Sequence, residues 1–151
     1  MDTRIAVSPG LPRTERNLTL YGQQLDNWPL LWGEVAIALT EAERDWFETE
    51  GDGGWKPLSP RYAETKERLY PGRTILRRTD ELYESLTEPS RAARLAGPDA
   101  LVFGSDDPVA GYHYDGTEKM PKRNPLISIV KQREIVRGLL EAHVRYHGYA
   151  S

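Results

Sequence analysis

From Leu25 to Phe47 the apolar residues recur in steps of three and four: Leu25, Trp28, Leu31, Trp32, Val35, Leu39, Ala42, Trp46 and Phe47. That spacing keeps to one face of a 3.6-residue helix, so it predicts an amphipathic helix over Gln23–Glu50 as the spine of the core. Pro29 is tolerated if Asp26 or Asn27 caps the helix and the proline falls in its first turn. Thr40 and Glu43 match a capping box, which also predicts a kink or restart near Leu39. Gly51-Asp52-Gly53-Gly54 ends the segment, because glycine supplies the left-handed C-cap.

Beyond that stop the apolar stretches shorten. Ser59 before Pro60 predicts a helix over Pro60–Leu69, mostly polar, with Tyr62, Ala63 and Leu69 left to pack. Pro71-Gly72 ends it. Thr79 is the expected cap of a second short helix that carries Leu82, Tyr83 and Leu86, with Asp80 and Glu81 in its first turn and Pro89 past its end. The period then falls towards two. Ala92–Leu95 and Ala100–Phe103 flank Gly97-Pro98-Asp99 as a hairpin. Val109–Tyr114 reads as a third strand, Thr117–Arg123 as a polar loop, and Pro125–Val130 as a last strand or a lead into helix. Gln132–Tyr146 is the terminal helix, with Ile135, Val136, Leu139, Leu140, His143 and Val144 on its apolar side; Gly138 weakens it by about 1 kcal/mol relative to alanine. At the other end, Arg16–Tyr21 alternates like a short strand or an extended lead-in. Residues 1–13, with Pro9, Gly10 and Pro12, hold no period and read as a flexible arm. The expected fold is α+β: a long N-terminal amphipathic helix and short helices packed on a small, mainly antiparallel sheet, with a C-terminal helix, in one domain over 14–151.

Composition narrows the function classes. The chain has 151 residues, enough for one domain with a real core. A formal charge of −3 argues against general nucleic-acid binding by phosphate neutralisation. The absence of cysteine excludes disulfides and thiolate chemistry. No apolar run approaches the roughly 20 residues that span a bilayer, and the first residues lack the apolar core of a secretory signal, so no membrane role and a cytoplasmic site of synthesis are expected. Four Trp and eight Tyr against two Phe suit contacts that are half apolar and half wet.

No stretch spells a catalytic or metal-binding motif, and no cofactor is expected. His113 with Asp106, Asp107 or Asp115 is the best candidate for proton transfer, and a structural histidine is the more frequent use of such a residue. His143 and His147 stand four apart without an evident third ligand. Asp106, Asp107 and Asp115 do not follow calcium-loop spacing. Charge is more informative. Lys66, Arg68, Arg73, Arg77 and Arg78 make the most basic region and Lys119, Lys122 and Arg123 a second. Glu43, Glu48 and Glu50 lie in an acidic stretch of opposite sign. Together with Trp55 these are the candidate interface residues, against the commoner use of such charges as solvated faces.

Five pieces in order carry a resemblance: Gly54-Trp55-Lys56-Pro57-Leu58-Ser59; Ile75-Leu76 with Thr79-x-x-Leu82; Val102-x-Gly104-Ser105; Tyr112-His113 with Gly116; and Pro121-Lys122-Arg123-Asn124-Pro125-Leu126. Over residues 40–147 the chain resembles the virion morphogenesis (tail-completion) family of tailed bacteriophages. That family shows Trp-x-Pro-Leu-Ser, Ile-Leu-x-x-Thr-Gly-x-Leu, a strand ending Gly-Ser, Tyr-Ala-x-x-His-x-x-Gly and Pro-x-Arg-Pro-Phe-Leu. Asp80 stands where the family has Gly, Asn124-Pro125 where it has Pro-Phe, and the histidine element is shortened. The resemblance implies a non-enzymatic virion protein, a homo-oligomeric ring, expected as a hexamer, at the neck or upper tail. Its partners would be copies of itself, the head–tail connector and the tail tube or terminator, with packaged DNA passing close by. The rival readings are a small enzyme using His113 and an accessory DNA-binding module.

Overall fold

The long apolar stripe winds into helix α1, Trp28–Glu48, in the computed structural model, which describes residues 3–7, 28–97 and 100–147. The side chains of residues 3–7, 28, 29, 144 and 147 lie outside that description. So do the expected strand at Arg16–Tyr21, the first residues of the expected helix and the hairpin tip at Pro98-Asp99. Pro29 falls in the first turn of α1, where its missing N–H leaves no intrahelical bond unmade. Leu31, Trp32, Val35, Leu39 and Phe47 are buried along one face. The expected restart near Leu39 does not occur. Thr40 Oγ1 donates back to the carbonyls of Ala36 and Ile37, at 3.0 and 2.9 Å, as a hydroxyl in a helix interior does rather than a cap.

The Gly-rich stop is a left-handed turn. Glu50, Gly51, Asp52 and Gly53 have φ of 52, 70, 54 and 75° in succession. Left-handed backbone is free for glycine and costs other residues roughly 1–2 kcal/mol each, so Glu50 and Asp52 carry the strain. Glu50 is tied down by its Oε1, which accepts from the Ile75 amide at 2.9 Å. A Cβ built on Gly51 would lie 2.5 Å from Trp55 Nε1. Gly51→Ala is therefore expected to lower stability by about 1–3 kcal/mol, read as a lower urea midpoint at unchanged slope.

Helix α2, Pro60–Leu69, starts as expected with Ser59 before it and Pro60 in its first turn, although the Ser59 hydroxyl makes no cap bond. Its one buried residue is Lys66. Helix α3 runs Glu81–Thr87, and its N-cap is Asp80, not Thr79; Asp80 is left-handed, with φ 66°. Pro89 lies past the end of α3, as expected, and opens a further short helix, α4, Pro89–Ala92.

The sheet has three antiparallel strands in the order β1-β3-β2. The expected hairpin is β2, Ala93–Gly97, with β3, Ala100–Ser105, in a register that pairs Ala93 with Phe103. Strand β1, Thr3–Val7, pairs with β3 from Thr3–Ser105 to Val7–Leu101. Part of the segment expected as a loose arm is thus an edge strand, and the rest of residues 1–13 lies outside the described residues. Leu101, Phe103 and Ser105 alternate inwards onto the helices.

One expected strand is not a strand, and of the two expectations for Pro125–Val130 the lead into helix holds. Val109–Tyr114 belongs to helix α5, Pro108–Asp115, whose cap is Asp107: its Oδ1 accepts from the Val109 amide at 2.8 Å, and Pro108 sits at the first position. Pro125–Ser128 is an irregular segment held by side chains in place of a neighbouring strand, and helix α6, Ile129–His147, starts directly after it. Helix α1 packs on α6 and α3, and α3 and α4 cover β3. The class is α+β, with the long N-terminal and C-terminal helices where periodicity puts them. No helix among the described residues is long and apolar enough to cross a membrane.

Candidate functional site

Three of the ordered sequence pieces meet at the segment Arg123–Ile127. The Asn124 carbonyl accepts from Trp46 Nε1 at 3.0 Å and from Trp55 Nε1 at 2.9 Å. The buried Arg123 donates through Nε to the Lys56 carbonyl at 2.6 Å and through a terminal nitrogen to the Pro57 carbonyl at 3.0 Å. Its backbone amide donates to the His113 carbonyl at 2.8 Å. Phe47 packs edge-on against Trp55 and Tyr83, with centroids 5.5 and 5.4 Å apart. A guanidinium on peptide carbonyls is a charged hydrogen-bond donor without a counter-charge, and burial pushes its pKa down, partly offset by Glu50 and Tyr62.

Beside this knot lies a cleft of about 960 Å³. Helix α2 contributes Tyr62 to one wall, α5 contributes Val109 and Tyr112 to the other, and Ile75 and Leu82 line the space between. Leu76, also on its lining, is left-handed with φ 65°. Lys66 reaches in beneath α2 and donates to the carbonyls of Arg73 and Thr74. Burial lowers its pKa, and Glu50 and Glu67 act against that shift. Asp80 takes two hydrogen bonds from Arg77, at 2.9 and 3.2 Å, and an ion pair from Arg73. The Arg77 guanidinium also stacks 3.9 Å over the Tyr83 ring. Glu81 pairs with Arg91, and Asp107 is engaged at the cap of α5. The carboxylates of the cleft are all occupied. The cations are not: Lys66 and Arg123 rest on carbonyls, and among the described residues Arg78 and Lys119 have no ion-pair partner. The cleft carries surplus positive charge.

The candidate interface residues therefore divide. Trp55, Lys66, Arg123 and Glu43 are buried and serve as internal ties, Lys66 and Arg123 at the lining of the cleft. Glu43, fully buried, accepts from the Ile127 amide at 3.0 Å through Oε1, while its Oε2 has no partner. Burial raises its pKa to about 8, against smaller opposing effects of that hydrogen bond and of Lys131. Gln132, also fully buried, donates to the Ile127 carbonyl at 3.0 Å, so the N–H and the C=O of one residue are held by side chains of two helices. Arg73, Arg77 and Glu50 are half-buried and internally bonded. Arg68, Arg78, Lys119, Lys122 and Glu48 stay exposed, with Lys122 5.0 Å over the Tyr114 ring.

His113 lines the cleft, and its Nδ1 is buried without a partner. Burial and Arg123 lower its pKa, with Asp107 opposing, which leaves a neutral imidazole at neutral pH. Asp106 and Asp115 are exposed. His143 is buried, the His147 side chain lies outside the described residues, and no group of three metal-binding side chains occurs among those described. Sequence reasoning missed Asp80, Tyr112 and Val109 as parts of a site; Asp107-Pro108 was the available signal for the helix that presents two of them. No protein-family model matches the chain, and neither does any curated protein or solved structure.

Proposed function

We propose that this chain is a structural subunit of a tailed-bacteriophage virion, forming a ring at the neck or upper tail that completes the tail and joins it to the head connector, with no chemistry of its own. The observation that carries the reading is the convergence at Arg123-Asn124. The Trp55–Pro57 piece, distant in sequence, and the His113 element, ten residues before Arg123, are both joined to the Arg-Asn-Pro-Leu run there by direct hydrogen bonds. Segments that resemble a family in order also form one structural unit, which is what a shared fold would require. Asp80 adds to this: the position that is glycine in the family pattern has φ 66°, the backbone region glycine favours. The mechanism is shape and charge fit between copies and neighbours. Mass spectrometry of purified particles and electron microscopy of particles made without the chain test it. The expected result is the chain in mature particles, and unjoined heads and tails without it. Absence from particles, or joined infectious particles without it, overturns the proposal.

One observation favours a second reading: His113 lines the cleft, and its Nδ1 is buried without a hydrogen-bond partner. Its nearest acidic influence, Asp107, is engaged at the cap of α5. A hydrolytic activity abolished by His113→Ala, with the fold intact, would favour that reading.

A further inference from the structure

Two surfaces of this molecule have opposite character and complementary form. The first is the cleft between α2 and α5: apolar walls, a surplus of positive charge, and Arg78 and Lys119 free to pair. Helix α2 is an unusual wall, since the residue it buries is Lys66 while Tyr62 and Leu69 stand 46% and 59% exposed. An apolar flank of that kind has no covering element within the described residues.

The second surface is the outer face of α1. Leu30, Glu34, Ile37, Glu41, Asp45 and Glu48 are all exposed and, at 3.6 residues per turn, fall within about a quarter of the helix circumference. Leu30 and Ile37 are each 52% exposed, large aliphatic side chains that the fold leaves in water. None of the four carboxylates has an ion-pair partner among the described residues. Leu30 and Ile37 lie roughly 10 Å apart along the axis at 1.5 Å per residue.

We propose that the cleft of one copy receives the outer face of α1 from a second copy. Leu30 and Ile37 enter between Tyr62 and Tyr112, and the carboxylates of the stripe meet Arg78 and Lys119. Donor and acceptor surfaces are different patches on the same chain, so the contact is heterologous and propagates head to tail, closing into a ring when the rotation per step divides the circle. Opposite charge on the two patches sets the register and rejects a like-with-like pairing. This deepens the ring reading given above and rests on it for closure.

The test uses the full chain and two variants altered at exposed positions only. One reverses the cleft, Arg78→Glu with Lys119→Glu; the other reverses the stripe, Glu34→Lys with Glu41→Lys. Far-UV circular dichroism checks that each keeps its helix content, and sedimentation velocity over a concentration series at low salt reads association. Parent protein is expected to self-associate and to dissociate as salt rises. Each variant alone is expected to associate at least about 100-fold more weakly, since like charges then face one another. An equal mixture of the two is expected to regain association, because each reversed cleft then meets a reversed stripe. Parent protein that stays monomeric, reversals without effect, or a folded mixture that does not recover overturns the inference; so does a cross-link from Lys119 to an acidic segment of a different protein in place of α1. If the reversals have no effect while the chain is found in particles, this interface fails and the virion reading stands. If the mixture recovers but particles lack the chain, the reverse holds.

Discussion

Glu43→Gln is expected to stabilise the protein at pH 8 and to change little near pH 4.5. Glu43 sits fully buried in α1 with a pKa raised from an ordinary 4.5 to about 8. Below 4.5 the carboxyl is protonated whether the chain is folded or not. Between 4.5 and 8 the folded chain holds a proton that the unfolded chain has released, so stability falls as pH rises, by about 1.4 kcal/mol per pH unit. Above 8 both states are ionised and the full cost remains, on the order of 5 kcal/mol, of which about 4 is reached at pH 8 itself. Glutamine keeps the acceptor for the Ile127 amide and replaces Oε2, which has no partner, with a neutral donor. The gain over the parent should therefore grow steadily from pH 5 to pH 8 and then level off. At about 2–4 °C per kcal/mol for a chain of this size, it amounts to roughly 8–16 °C in Tm at pH 8. Other titrating groups, the depressed His113 and Lys66 among them, act alike on parent and variant and cancel in the difference. A gap between the two melting curves that does not change with pH would show that Glu43 is not the group that titrates.

The second large effect is at the tryptophan knot. Trp55→Ala removes a buried ring that packs on Phe47 and Trp46, and is expected to cost about 3–5 kcal/mol. The finer experiment is a cycle of phenylalanine substitutions. Trp46 and Trp55 both donate to the Asn124 carbonyl, so either Phe variant alone leaves that oxygen with one partner. In the double variant it has neither, and a half-buried carbonyl without a donor costs more than the loss of one bond of two. The double change is expected to exceed the sum of the singles by about 0.5–2 kcal/mol, measured from urea midpoints. Strict additivity would mean that water replaces the indoles freely, and that Asn124 is not the point on which the knot hangs.

The sequence carries the regular parts of this fold plainly. Steps of three and four fix α1 and most of α6, Ser59-Pro60 fixes the start of α2, and alternation around residues 97–99 fixes the hairpin. The errors have local causes. Val109–Tyr114 reads as a strand between two loops, but Asp107-Pro108 before it is a cap and first-turn pair, and an eight-residue helix is too short for its period to show. Pro125–Val130 reads as a strand or as a lead into helix, and the lead holds because Glu43 and Gln132 satisfy the N–H and C=O of Ile127 from helices in place of a partner strand. Glu43 itself was legible in part. It falls between Leu39 and Phe47 on the apolar stripe, where a carboxyl is either buried or at odds with the helix. Reading it as surface charge ignored that position. The cleft was not legible, because its walls come from three separate stretches and its charge balance depends on which carboxylates are already paired. The left-handed Asp80 was foreseeable only through the resemblance, which has glycine there.

Helix α2 deserves a last consequence. Since it buries little beyond Lys66, its hydrogen-bonded amides can open without disturbing the contacts that hold α1, α3 and α6 together. In deuterated water its protons are expected to exchange far sooner than those of α1, through local opening rather than global unfolding. A molecule lodged against its apolar flank would slow that exchange, so the rate at α2 becomes a clock for occupancy of the cleft, readable residue by residue in solution.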